Sequence, residues 1–220
     1  MTKEILVFPR NCIQDYQSFV PWNEADPVLR CIPEQAAWMP REEAETSTEW
    51  VQPIPCALIR NDAQDYCVLK RTRQTRADLR ARVSLLVGGH VDRPHQGNIE
   101  PFTSLMLLTL RRELEEEVGL VNSPTIQPVG IAIDPASIAV SRHVAFVYET
   151  LANHRIAAQA PEEFSSRSKF TGRFFSPLKL SGLHGKFDPW SRILFEEYIA
   201  ESYLLAKWPR QIRLPLPLNE

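Results

Sequence analysis

Four glutamates, Glu113, Glu115, Glu116 and Glu117, crowd the end of "RRELEEEVGL" (111–120), which follows the apolar run "LMLLTL" (105–110) and stops at Gly119. A helix that closes on glycine favours cations in its last turn, because its dipole is negative there. Each anion at that end costs roughly 0.3–1 kcal/mol, and like charges at i,i+4 add a few tenths more. At about 100° per residue, Leu107, Leu110, Leu114 and Val118 share one arc, the core stripe. Glu113, Glu116 and Glu117 fall on the adjoining arc, and Glu115 faces nearly the opposite way. A solvated acidic face is the plain explanation. The buried stripe, the glycine stop and an upstream glycine pair, Gly88–Gly89, weigh against it. Clustered hard oxygens suit Mg²⁺ or Mn²⁺, which also keep waters and bind phosphate oxygens.

These residues resemble the signature of the Nudix hydrolases, G-x5-E-x7-R-E-U-x-E-E-x-G-U, where U is a bulky aliphatic residue. Arg112, Glu113, Leu114, Glu116, Glu117, Gly119 and Leu120 match its C-terminal half in full, and "GGHVD" (88–92) resembles its opening. The signature places thirteen residues between its glycine and arginine. Here Gly89 and Arg112 are separated by 112 − 89 − 1 = 22, so nine extra residues enlarge the loop. Counting back from Arg112, the first signature glutamate falls on Ser104, with Glu100 the nearest acidic replacement, and Val87 stands where many members have proline. The resemblance extends more loosely over residues 50–205, through "FTGRFFSPLKL" and "FDPWS". The whole chain is similar to a predicted phosphoesterase branch with an N-terminal extension and a GGH loop.

The resemblance implies an α/β/α sandwich around a mixed β-sheet, and hydrolysis of a nucleoside diphosphate linked to another group, with Mg²⁺ or Mn²⁺ as cofactor. Glu113, Glu116 and Glu117 would then be metal ligands and catalytic residues, and Arg112 would orient a carboxylate from behind. Gly88 and Gly89 would admit phosphate close to the backbone, with His90 beside them as a further substrate contact. A general base is expected outside the helix. Glu162 and Glu163 in "APEEFSS" are the best-placed candidates, Glu163 being the one carried forward, and Glu149 is next. His143, within a strand, reads as structural. Two other functions stay open on this fold. One is a nucleotide-binding sensor without catalysis, though such a module would be expected to lose helix carboxylates. The other is an isoprenoid diphosphate isomerase, which would need a Cys/His metal set that is not evident.

The elements that must position this chemistry follow from patterning. "EILVFP" (4–9) predicts a strand ended by proline, and "PREEAE" (40–45) a short proline-initiated helix. "PCALIRN" and "YCVLKR" predict a hairpin about "NDAQD", and "RVSLLVGGHV" a strand entering the glycine pair. "QPVGIAI" and "RHVAFVYET" predict a second strand pair. "DPWSRILFEEYIAESYLLAKW" (188–208) predicts an amphipathic closing helix, with Asp188 as N-cap and Ile193, Leu194, Tyr198, Ile199 and Leu205 on its apolar face. The expected organisation is an N-terminal extension (1–50) packed on a catalytic domain (51–208), with an extended tail (209–220). The arginine-rich "KRTRQTRADLRAR" (70–82) is expected to be a solvated loop, with anion attraction as the alternative. Trp22, Trp38, Trp50, Trp190 and Trp208 are expected to anchor cores.

Of the 220 residues, 44% are hydrophobic and 24% charged, a composition that excludes disorder. A formal net charge of −2 argues against a nucleic-acid partner, and the resemblance implies a small-molecule nucleotide or other diphosphate instead. No apolar run is long enough for a signal peptide or a membrane span. Cys12, Cys31, Cys56 and Cys67 are widely spaced, so reduced thiols in a cytoplasmic setting are expected. The N-terminal extension makes a homodimer conceivable.

Overall fold

The computed structural model describes residues 3–72, 79–94, 101–121, 125–134, 142–166, 168 and 171–207. The strands are β1 (Glu4–Pro9), β2 (Ser18–Pro21), β3 (Ala37–Pro40), β4 (Trp50–Arg60), β5 (Tyr66–Lys70), β6 (Val83–Ser84), β7 (Leu86–Gly88), β8 (Ile126–Ile133), β9 (His143–Leu151) and β10 (Arg173–Phe175). The helices are α1 (Asp26–Gln35), α2 (Arg41–Ala44), α3 (Phe102–Val118), α4 (Pro177–Ser181), α5 (Pro189–Leu194) and α6 (Ala200–Lys207).

The main sheet runs β10-β5-β4-β9-β8-β2. β4 and β9 are parallel, with Cys56 opposite Val147, while β8 pairs antiparallel with both β9 and β2, so the sheet is mixed. β4 is buried along almost its whole length because both faces are covered. Its side chains alternate accordingly. Val51, Ala57 and Ile59 join one core with Met106, Leu110 and Leu114 of α3. Ile54, Cys56 and Leu58 join a second core with Leu194 and Ile199. Helices on both faces of a mixed sheet make the expected α/β/α sandwich.

The N-terminal residues are woven into this frame. β1 pairs with β3 and with the start of β4, and β2 forms one edge of the main sheet. Leu6 N–H donates to Val91 O at 2.9 Å and Arg93 N–H to Glu4 O at 3.0 Å, so β1 also braces the backbone after the glycine pair.

Three expectations need correction. Cys12 and Cys31 form a disulfide, their Cα atoms 5.6 Å apart, and only Cys56 and Cys67 remain buried free thiols. Folding brings the start of the chain against α1, a proximity that a separation of 19 residues does not reveal. The strand "RVSLLV" is broken at Leu85 into β6 and β7. There Ser84 Oγ donates to Leu86 O at 3.0 Å, while Leu85 N–H donates to Ser191 Oγ at 2.9 Å. The closing helix is interrupted by a π-helical turn at Phe195–Ile199 between α5 and α6. Its N-cap is as expected, since Asp188 accepts the Ser191 N–H at 2.8 Å. Glu100, Trp208, the tail 209–220, the centre of the arginine-rich stretch and the Leu205 side chain lie outside the described residues.

Candidate active site

α3 positions the carboxylates. It ends at Gly119, whose φ of 65° is a left-handed conformation that glycine adopts without strain. The Gly119 N–H donates to Glu115 O at 3.0 Å and the Leu120 N–H to Leu114 O at 2.9 Å. Glu117 O accepts from Gln159 N–H at 2.7 Å. The helix end is thus tied to the loop after β9, which also carries Glu162 and Glu163. As expected, Glu115 is exposed, while Glu113 and Glu117 are buried. Glu116 is exposed rather than buried with them, so it stands at the rim.

The glycine pair is required by packing. A Cβ on Gly88 would lie 2.1 Å from Pro55 O of β4, and one on Gly89 would lie 2.5 Å from the Glu113 carboxylate. The first glycine lets β7 close on β4, and the second leaves room for Glu113.

Arg112 gathers the acidic side chains on one side. Its Nη2 lies 2.6 Å from Glu113 Oε1 and 3.5 Å from Asp92 Oδ2, and its Nη1 lies 2.9 Å from Glu116 Oε2. Nη2 also donates to His90 O at 3.2 Å, fixing the turn after the glycine pair. Lys3 Nζ reaches Asp92 Oδ2 at 3.0 Å from the N-terminal side. Burial raises the pKa of Glu113, opposed by Arg112. Glu117 is further perturbed: burial pushes it up to about 8, against the pull of Arg71 and a hydrogen bond from the Gly88 backbone.

A second ion pair was not anticipated. Arg71, at the end of β5, points inward rather than lying in a solvated loop. Its Nη1 is 2.7 Å from Glu163 Oε2, and its guanidinium lies 4.7 Å above the Phe164 ring. Thr72 N–H donates to Glu163 O at 2.9 Å and Thr72 Oγ1 to Glu162 O at 2.6 Å, so the strand end and the glutamate loop are stitched together. Arg71 directly follows an apolar strand and sits between Lys70 and Thr72, a weak signal that the surrounding arginines masked.

These groups share a cleft of about 420 Å³, whose walls include Gly88, Gly89, His90, Glu113, Glu116 and Glu117. Glu162, Glu163 and His143 also line it, with the His90 and His143 rings edge to face at 5.5 Å. Glu149 is held elsewhere by Arg60 at 2.8 Å. Ser104 is half-buried in the first turn of α3.

Among the described residues, no three His, Cys, Asp or Glu side chains gather around one point. Glu113 and Glu116 lean on Arg112 instead, so the guanidinium partly answers the charge clash at the helix end. The fit to a cation rests on what Arg112 leaves over. Glu117 Oε2 and Asp92 Oδ1 are buried oxygens without a hydrogen-bond partner among the described residues. Unpaired buried acceptors of this kind beside two further carboxylates are the donor chemistry that a hard divalent cation takes. No helix among the described residues is long and apolar enough to cross a membrane.

The model of the NUDIX domain matches residues 50–198. The protein YmaB of Bacillus subtilis (strain 168) is 23% identical over 206 residues, covering 89% of this chain and 97% of YmaB. The crystal structure of Tm1382, a proposed Nudix hydrolase, superposes with a TM-score of 0.69 at 20% identity, covering 90% of this chain and 99% of that one. The NUDIX domain of Shewanella oneidensis NrtR, crystallised with ADP ribose, superposes with a TM-score of 0.50 at 17% identity, covering 70% and 88%.

Proposed function

The chain belongs to the Nudix family, and from that premise we propose that it hydrolyses a pyrophosphate bond in a nucleoside diphosphate linked to a further group, with Mg²⁺ or Mn²⁺ as cofactor. One observation carries this reading: Glu117 is buried at the wrong end of a helix, with one oxygen unpartnered, on the wall of a cleft shared with Glu113 and Glu116. A protein does not keep such a group for stability, because a buried polar atom without a partner is a liability. The nucleotide bound by the NrtR domain supports a small nucleotide as the ligand class.

Glu113, Glu116 and Glu117 would hold the cation, which when bound supplies positive charge against the pyrophosphate and lowers the pKa of a water. Arg112 keeps Glu113 and Glu116 directed into the cleft and loses little by sharing them, since Asp92 and His90 O also hold it. Arg71 fixes the direction of Glu163, and that carboxylate accepts the proton of the attacking water. The water then attacks phosphorus in line with the departing phosphate oxygen.

The test is a panel of nucleoside diphosphate derivatives, ADP-ribose included, incubated with protein and Mg²⁺ or Mn²⁺. At least one should be split into phosphate-containing products. EDTA should abolish the reaction, and Glu116→Gln should slow it by orders of magnitude with the fold retained. Tight nucleotide binding without cleavage anywhere in the panel would replace this reading with a sensor.

A further inference from the structure

The cleft takes part of its wall from outside the Nudix domain. The family match begins at residue 50, yet Lys3 and Arg41 both line the cleft with Glu113 and Glu116. β1 and β3 bring them together. Their ladder pairs Glu4 with Pro40, and one residue further on the Arg41 N–H donates to Lys3 O at 3.0 Å. Like charges placed side by side across a ladder repel each other. Lys3 Nζ is answered by Asp92 Oδ2 at 3.0 Å, and Arg41 Nε by Glu45 Oε1 at 2.8 Å.

These partners leave donors over. An ammonium carries three N–H groups and a guanidinium five, and one carboxylate takes at most two of that five edge-on. The side chains of Lys3 and Arg41 are 57% and 41% exposed, so an incoming ligand can reach both. The other cations of the cleft are committed. Arg71 is largely buried between Glu163 and Phe164, and Arg112 is shared among Asp92, Glu113 and Glu116. Asp92 Oδ2 joins Lys3 to Arg112, so the Lys3–Arg41 pair borders the glutamate site without belonging to it.

Carboxylates outnumber cations on the cleft wall. A diphosphate is tolerated there when a divalent cation bridges it to the glutamates. A further anionic group on the same substrate gets no such help and needs protein cations of its own. We propose that Lys3 and Arg41 form an anion subsite for a phosphate or carboxylate that the substrate carries in addition to its diphosphate. A guanidinium fork matches either oxyanion, and the neighbouring ammonium adds a point charge. The proposal rests on reading the cleft as a diphosphate site, and it assigns part of substrate selection to the N-terminal extension.

Two matched pairs of ligands separate the two oxyanions. UDP-glucuronate differs from UDP-glucose by a carboxylate, and coenzyme A differs from dephospho-coenzyme A by a phosphate. Calorimetric titration in Ca²⁺ gives the Kd of each for wild type and for the double variant Lys3→Gln, Arg41→Gln. Wild type should bind the more charged member of at least one pair about tenfold more tightly, the worth of one charge-assisted hydrogen bond. The double variant should bind both members of that pair equally, with a thermal midpoint near that of wild type, because both side chains are exposed. Added NaCl should erode the wild-type preference. A wild type that shows no preference or binds none of the four ligands would overturn the assignment. So would a preference that survives in the double variant, or a loss that falls equally on inorganic pyrophosphate. A preference lost in the double variant, in a protein that cleaves nothing, would leave the subsite in place and sink only the hydrolase reading.

Discussion

Two buried carboxylates, one at the end of α3 and one at the start of α5, meet opposite fates. Asp188 stands at a helix N-terminus, where the dipole favours negative charge, and its oxygen accepts the Ser191 N–H at 2.8 Å. Glu117 stands in the last turn of α3, where the dipole opposes it, and keeps Oε2 without a partner among the described residues. Both are more than nine-tenths buried, so burial alone does not separate them. Satisfaction does. Asp188 is completed by the backbone it caps, whereas one Glu117 oxygen stays without a partner among the described residues.

The largest effect should come from removing the charge of Glu117 while keeping its shape. Glu117→Gln should lower kcat by a factor on the order of 10² to 10⁴, the range over which a charge-stabilising contact acts in a transition state. The same substitution should raise the thermal midpoint of the metal-free protein near pH 8, because it ends both the desolvation of a carboxylate and its clash with the helix dipole. Mg²⁺ should then stabilise the wild type and not the variant, as a ligand that binds only the native state must. A variant that is less stable than the wild type in EDTA would make Glu117 a structural residue and erase the contrast with Asp188.

A smaller effect follows from the direction of the Glu117 shift. Its folded pKa of about 8 lies above the ordinary carboxylate value of 4.5, mainly through burial. The folded state therefore binds the proton more tightly than the unfolded chain. Its contribution is fully present below the unfolded value and is lost as pH rises through about 8. Metal-free protein should unfold at progressively lower urea concentration between pH 5 and pH 8, and Glu117→Gln should flatten that slope. A wild-type slope identical to that of the variant would show that Glu117 is ionised without cost.

How much of this was legible in the sequence depends on the range of the interaction concerned. The α3 stripe, the exposed Glu115 and the Asp188 cap are local, set by residues within a turn of one another, and the helical period reads them directly. The strand pairs were legible for the same reason. The Cys12–Cys31 bond was not, because it joins elements brought together only by the fold. Nor was the Arg71–Glu163 pair, whose members lie 92 residues apart. The helical wheel also put Glu116 on the same arc as Glu113 and Glu117, and it could not show that the neighbouring surface ends there, leaving Glu116 at the rim. Trp190 was only one tryptophan among five until the packing of α5 placed it on the wall of the cleft.

The smallest effect tests the other half of the contrast. If Asp188 is complete within the protein, its worth is that of an N-cap, and Asp188→Ala should cost about 1 kcal/mol of stability, with 2 kcal/mol as the upper end. Asp188→Asn should cost less, since an amide oxygen can still accept the Ser191 N–H and asparagine caps about as well as aspartate. Urea unfolding at constant m-value separates the two variants. The charge itself should matter little here, which is the opposite of the expectation for Glu117, where the isosteric amide removes the function and relieves the fold. Should Asp188→Asn prove as damaging as Asp188→Ala, the negative charge would be needed at α5 too. Burial at a helix terminus would then cease to discriminate a capping carboxylate from one held in reserve for a ligand.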